Sequence, residues 1–141
     1  NKNLKKLIEH SEKITEKNDL LKLNVAINFG GLDDILYSVK KIAKDVERGS
    51  IKSSQINEKM IRSNLLSSNV SDIDLLIRTS GEKRISNFLL YQLRYSELYF
   101  TNTLWPDFNS SELENAIKDF QECERRYGKS PVGSIENLKT K

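Results

Sequence analysis

The stretch 78–87 carries most of the chemistry this chain can do. It reads Arg78-Thr79-Ser80-Gly81-Glu82-Lys83-Arg84-Ile85-Ser86-Asn87. Arginine forks and hydroxyls match the oxygens of a phosphate, and a glycine lets backbone N–H groups approach them closely. The composition suits an anionic, phosphate-bearing ligand. It suits a solvated surface loop equally well. A second feature is Glu97, set in Tyr95-Ser96-Glu97-Leu98-Tyr99-Phe100. A carboxylate among aromatic and apolar residues calls for a partner. That partner is either a hard cation such as Mg²⁺ or an arginine, the latter as a buried ion pair to Arg78 or Arg84.

Other chemistries are excluded or weak. The single histidine, His10, and the single cysteine, Cys123, rule out an internal disulfide, a multi-cysteine zinc site and a histidine-rich metal centre. His10 sits among glutamates on a polar helix, and Cys123 in a charged one. Asp33-Asp34-Ile35-Leu36-Tyr37 begins like an aspartate-rich diphosphate motif but lacks the third carboxylate. Thr79-Ser80-Gly81 has no flanking Gly-x-Ser-x-Gly and so is not a nucleophile elbow. Neither a Walker loop nor a dinucleotide fingerprint occurs.

These residues need elements to hold them. Leu4, Leu7, Ile8, Ser11 and Ile14 follow helical spacing, which predicts a helix over 2–17. The near-continuous apolar run from Leu21 to Phe29 predicts a strand buried on both faces, ending at Gly30-Gly31. Ile35, Val39, Ile42, Ala43 and Val46 mark the inner face of a helix that stops at Gly49. Ser53 or Ser54 is placed to cap a third helix carrying Ile56, Met60, Ile61 and Leu65. A second strand is expected over Ile73–Ile77, a short helix over Phe88–Leu93 and a third strand over Glu97–Phe100. Trp105-Pro106-Asp107-Phe108 reads as a turn. Ser111 and Glu114 have capping-box spacing for a final helix through Leu113, Ile117, Phe120 and Glu124. The alternation predicts an α/β fold, a parallel sheet with helices on both faces. In such sheets ligands bind beyond the carboxyl ends of the strands, where 28–31 and 78–87 fall.

Composition sets the outer limits. The chain has 141 residues, 37% hydrophobic and 30% charged, which is ordinary for a globular domain and too apolar for disorder. Its 23 Lys+Arg and 20 Asp+Glu give a net charge of +3. The signs are interspersed, so nucleic acid is not implied, and no apolar run approaches a membrane span.

The block from Asp74 through Arg78-Thr-Ser-Gly-Glu82-Lys-Arg84-Ile-Ser86-Asn-Phe-Leu-Leu, then Tyr-Ser-Glu97-Leu-Tyr-Phe, then Leu104-Trp-Pro-Asp107-Phe, closely resembles one family. It is that of the cis-prenyltransferases, and within them the undecaprenyl diphosphate synthases. Asn28-Phe-Gly-Gly31 resembles the family's Asn-aromatic-Gly-Gly motif, and Arg125-Arg126-Tyr127-Gly128 its C-terminal Arg-x-Gly. The resemblance runs over about residues 4–128. It implies an enzyme that adds isopentenyl diphosphate units to an allylic diphosphate such as farnesyl diphosphate, with cis geometry and Mg²⁺. It implies that Arg78, Arg84 and Ser86 grip isopentenyl diphosphate and converge as an anion clamp, with Glu97 placing the metal and reaching across a homodimer. Arg126 and Gly128 would reach the neighbouring subunit's site. Asn28 and Asp34 would lie at the substrate. Phe88, Leu89, Leu90 and Trp105 are apolar candidates for the lipid tail. The lipid product implies a cytoplasmic protein with peripheral membrane contact.

Two departures from the family pattern stand out. Leu32 replaces the arginine that usually follows Gly-Gly, and an Asp-Gly-Asn-x-Arg-x-Ala motif is absent from the sequence. The chain, which opens without Met, therefore reads as the C-terminal part of such a domain over 1–128 with a loose tail over 129–141. Alone it is expected to be inactive and prone to associate. A non-catalytic partner subunit is the alternative reading, disfavoured by the retention of Arg78, Arg84, Ser86 and Glu97. A basic RNA-binding module is a third, disfavoured by the lack of interleaved aromatic and basic residues.

Overall fold

A computed structural model describes residues 2–127. Its elements are α1 (Lys2–Thr15), α2 (Gly31–Glu47), α3 (Glu58–Asn64), β1 (Leu75–Arg78), β2 (Glu97–Phe100) and α4 (Ser110–Glu122), with 3₁₀ turns at Ser53–Gln55 and Trp105–Asp107. β1 and β2 pair in parallel, with Leu75 opposite Glu97 and Arg78 opposite Phe100. Parallel neighbours require a long crossover, and residues 79–96 supply it. α4 packs on β2, and its Ala116 is fully buried. α3 packs on α2, where Ser38 Oγ donates to the Ile61 carbonyl at 2.8 Å. The α/β class and the parallel pairing are as expected.

Several expected elements differ. The strand over 21–29 does not form, and residues 3–28 are exposed throughout, Leu20 at 99%. An apolar run becomes a strand only where a neighbour completes its ladder, and among the described residues the sheet ends at two strands. The helix over 88–93 is replaced by successive turns. Left-handed backbone at Ser86, Asn87 and Leu89 (φ 49°, 63° and 40°) is incompatible with a helix starting there. The caps also move. Asn57 Oδ1 accepts from the Met60 N–H at 3.0 Å, and Asn109 Oδ1 from Ser111 N–H at 2.9 Å. Asparagine thus takes the capping role expected of Ser53, Ser54 and Ser111.

The inner face of α2 is a further correction. Gly31, Asp34, Ser38 and Ile42 are buried, while Val39 is 49% exposed. The buried stripe lies one position off the apolar one. Burying a carboxylate and a hydroxyl requires partners for both, and α3 and the loop after it provide them.

Candidate functional site

The chain leaves β1 at Arg78 and turns sharply. Ser80 and Gly81 are left-handed (φ 68° and 70°). Their N–H groups donate to the Thr103 carbonyl at 2.9 Å and the Thr101 carbonyl at 2.8 Å, just beyond β2. These bonds hold the start of the loop at the carboxyl edge of the strand pair. Arg84 is ion-paired with Glu82 in the same loop. Both cations of the expected clamp thus belong to the segment anchored at the edge where α/β sheets bind ligands.

Ser86 is placed from the other side. The N–H of Gly31 donates to the Asn87 carbonyl at 2.6 Å, and that of Leu32 to Asn87 Oδ1 at 2.9 Å. Phe29 meets Phe88 edge-on with ring centroids 6.1 Å apart. The Asn28–Gly31 turn, with Asn28 left-handed at φ 53°, is therefore docked on residues 86–90. Two sequence motifs separated by more than fifty residues become one surface. Leu32, where the family pattern has arginine, is 62% exposed on it.

Asp34 is held inside the fold. It is 1% exposed, and its carboxylate accepts from the Ser67 N–H at 3.1 Å and from Ser67 Oγ–H. Gln92 Nε2 in turn donates to Ser67 Oγ at 2.5 Å. With one oxygen taken by a backbone N–H and the other by a hydroxyl, Asp34 ties α2 to the loop after α3 and, through Ser67, to Gln92 of the crossover. Of the apolar candidates, Leu89 is core at 8% exposure, whereas Trp105 is 72% exposed and stacked on Phe108.

Glu97 and Arg126 lie elsewhere. Glu97 is opposite Leu75, three ladder positions before Arg78, or about 10 Å along the strand. It sits at the amino edge, where its N–H donates to the Asp74 carbonyl at 2.9 Å. Arg125, the first residue of the matched C-terminal block and given no role by the resemblance, dominates this edge. Its Nη1 bonds Asp74 Oδ1 at 2.5 Å, and its guanidinium lies 4.8 Å from the Tyr127 ring centroid. That hydrogen bond raises the pKa of Arg125. Arg126 pairs with Glu124 at 2.8 Å, which lowers the Glu124 pKa and raises its own. Gly128 lies outside the described residues. Within one chain Glu97 does not join Arg78, Arg84 and Ser86, and neither is it ion-paired to Arg78 or Arg84. The parallel register puts the two ends of the ladder on opposite edges.

Among the described residues no three His, Cys, Asp or Glu side chains gather as a metal site. Asp74, the carboxylate next to Glu97, is committed to Arg125. The described part of one chain does not by itself fit a Mg²⁺ ion, whose shell is octahedral and built of oxygen.

Cys123 reports on this edge. It is half-buried, and its thiol pKa is pushed up by burial and then by the charges of Glu97, Asp119 and Glu122. A raised pKa leaves less thiolate, so iodoacetamide at pH 8 is expected to label Cys123 more slowly than free cysteine. Glu97→Gln should speed the labelling; an unchanged rate would remove Glu97 from that neighbourhood.

A sequence model of the prenyltransferase family described as "Putative undecaprenyl diphosphate synthase" matches residues 1–128. The chain belongs to that family. The (2E,6E)-farnesyl-diphosphate-specific ditrans,polycis-undecaprenyl-diphosphate synthase of Wigglesworthia glossinidia brevipalpis is 53% identical over 129 residues, 92% of this chain and 50% of the relative. Its counterpart in Haemophilus influenzae is 48% identical over 125 residues, 89% of this chain and 52% of the relative. The chain thus spans about half the length of these relatives. Among solved structures, lavandulyl diphosphate synthase from Lavandula x intermedia, in complex with dimethylallyl diphosphate, aligns with TM-score 0.84 at 34% identity, over 92% of this chain and 56% of that one. A probable undecaprenyl diphosphate synthase from Campylobacter jejuni aligns with TM-score 0.75, also at 34% identity, over 92% of this chain and 58% of that one. These cis-prenyltransferase neighbours share the α/β fold. No helix among the described residues of this family member is long and apolar enough to cross a membrane.

Proposed function

We propose that this chain carries the isopentenyl diphosphate side of a cis-prenyl transfer site. The protein condenses isopentenyl diphosphate onto farnesyl diphosphate to build a long polyprenyl diphosphate such as undecaprenyl diphosphate. The observation that carries the reading is the crossover 79–96, which belongs to the family-matched segment. It leaves β1 at Arg78, is anchored at the carboxyl edge and presents Arg84 and Ser86. Arg78, Arg84 and Ser86 hold the diphosphate of the incoming unit so that its double bond faces the allylic carbon. That is largely a positioning gain. The leaving diphosphate is stabilised by cationic donors, and no nucleophilic side chain is needed.

The proposal extends to a homodimer. Glu97 sits at the amino edge, about 10 Å along the ladder from its own chain's Arg78, and Arg126 follows Arg125, which bonds Asp74 there; the proposed role of Glu97, Arg126 and Gly128 at the reaction centre is therefore a role in the neighbouring copy. Mg²⁺ remains the proposed cofactor, completed by groups beyond the described part of one chain. Contact with the membrane is peripheral and serves release of the lipid product, from a cytoplasmic protein.

The test is direct. The intact protein, given labelled isopentenyl diphosphate, farnesyl diphosphate and Mg²⁺, should incorporate label into a long product with cis double bonds. Saturable binding of isopentenyl diphosphate should accompany it by calorimetry. Absence of both sinks the reading.

A further inference from the structure

We infer that Asn87 is a positioning residue for the diphosphate clamp, setting the place of Ser86 and Arg84 by fastening their loop to the first turn of α2. The inference rests on the reading of Arg84 and Ser86 as diphosphate ligands. The first N–H groups of a helix have no intrahelical acceptor. Here the carbonyl and the carboxamide oxygen of one residue take two of them, Gly31 N–H at 2.6 Å and Leu32 N–H at 2.9 Å. The cap comes from a residue distant in sequence, so it ties the loop to the helix. Asn87 is left-handed at φ 63°, as is Ser86 at φ 49°. Asparagine tolerates that conformation better than most residues, while it is uncommon for others. The loop holds it because both hydrogen bonds and the Phe29–Phe88 contact close around it.

Space at the junction is tight. A Cβ on Gly30 would stand 3.0 Å from Asn87 Nδ2, and one on Gly31 3.1 Å from the Asn87 carbonyl oxygen. A second tie runs from Asp34 through Ser67 to Gln92, fixing the far end of the same loop. Arg84 and Ser86 lie between the Asn87 tie and the Ser80 and Gly81 bonds to the Thr103 and Thr101 carbonyls, so the segment that carries them can shift only if one of these anchors is released. Asn87 is the tie adjoining the ligand-holding residues.

The test compares variants of the intact protein by separate KM and kcat values. Asn87→Gly keeps access to left-handed backbone and deletes the carboxamide. It is expected to raise the KM for isopentenyl diphosphate about tenfold or more, since displacements near 1 Å cost up to about a hundredfold, with the KM for farnesyl diphosphate unchanged. Leu32→Pro, tolerated in the first turn of a helix, removes the donor on the other side of the same bond and should shift the same KM even if Asn87→Gly does not fold. Ser38→Ala deletes a different bond of α2 and should lower the melting temperature while leaving that KM alone. If Asn87→Gly or Leu32→Pro folds with an unaltered KM, or if Ser38→Ala raises it equally, the positioning role is wrong. Arg84→Ala separates the two levels. Should it leave isopentenyl diphosphate binding intact, the clamp itself is misassigned; should it abolish binding while the Asn87 and Leu32 variants do nothing, only the inference here fails.

Discussion

Arg84→Ala is expected to weaken isopentenyl diphosphate binding about 10³-fold. A bidentate guanidinium–phosphate contact is a pair of charge-assisted hydrogen bonds, each contributing roughly 1.5–3 kcal/mol. Losing both removes roughly 4 kcal/mol, close to three decades. Arg84 is not idle in the structure; it is paired with Glu82, and the side chains are 62% and 38% exposed. Exposed pairs contribute at most about 1 kcal/mol, so a diphosphate takes the guanidinium from Glu82 at small cost. Two refinements follow. Arg84→Lys keeps the charge without the fork and should recover only part of the affinity. Glu82→Gln removes the internal competitor and should tighten binding by a few-fold. Calorimetry on the three variants decides the matter. Equal affinity in Arg84→Ala and the parent would take Arg84 out of the site, and weaker binding in Glu82→Gln would mean that the pair preorganises the loop instead of competing with the ligand.

Local chemistry was the legible part of the sequence. Glu97–Phe100 forms the strand expected of it, and β1 lies two residues on from the expected start at Ile73, because short apolar and β-branched runs suit a half-buried ladder wherever they sit. The phosphate-suited composition of 78–87 does turn out to be one loop pinned at a carboxyl edge. What failed depended on partners. Leu21–Phe29 has the pattern of a buried strand, and its pattern cannot say that no neighbour pairs with it among the described residues. Phe88–Leu93 has helical composition, yet the docking of Asn87 on α2 forces left-handed backbone just where a helix would begin. Asp34 is placed at the substrate by the family resemblance alone; the hydroxyl and amide that bury it come from Ser67, a residue with no motif around it. The family resemblance groups Glu97 with Arg78, Arg84 and Ser86 without saying how far apart they lie in one chain. Only the parallel register, Leu75 opposite Glu97, shows that they flank opposite ends. A signal for Asn87 did exist, since asparagine between Ser86 and Phe88 is a residue suited to left-handed backbone.

Gly31→Ala tests how far the docking of the two motifs governs stability, and it should be far more damaging than the same change next door. A Cβ at Gly31 would stand 2.8 Å from Leu90 Cγ and 2.8 Å from the Leu90 backbone nitrogen. The leucine side chain can change rotamer; a backbone nitrogen cannot move without its loop. Shifting that loop stretches the 2.6 Å bond from Gly31 N–H to Asn87 and the 2.9 Å bond from Leu32 N–H. Overpacking costs about 1–3 kcal/mol, and each lost hydrogen bond adds about 1 kcal/mol, so a destabilisation of roughly 3–5 kcal/mol is expected in denaturant unfolding of the intact protein. At Gly30 the obstacles are Asp33 Oδ2 at 2.9 Å and Asn87 Nδ2 at 3.0 Å, both side-chain ends. The backbone there is extended, with φ −133°, which any residue adopts. Gly30→Ala should therefore cost about 1 kcal/mol, the low end of the overpacking range. The ratio matters more than either value. If the two variants unfold alike, the close approach of α2 to residues 86–90 is not what holds this surface together, and Ser86 must owe its place to something other than the helix beneath it.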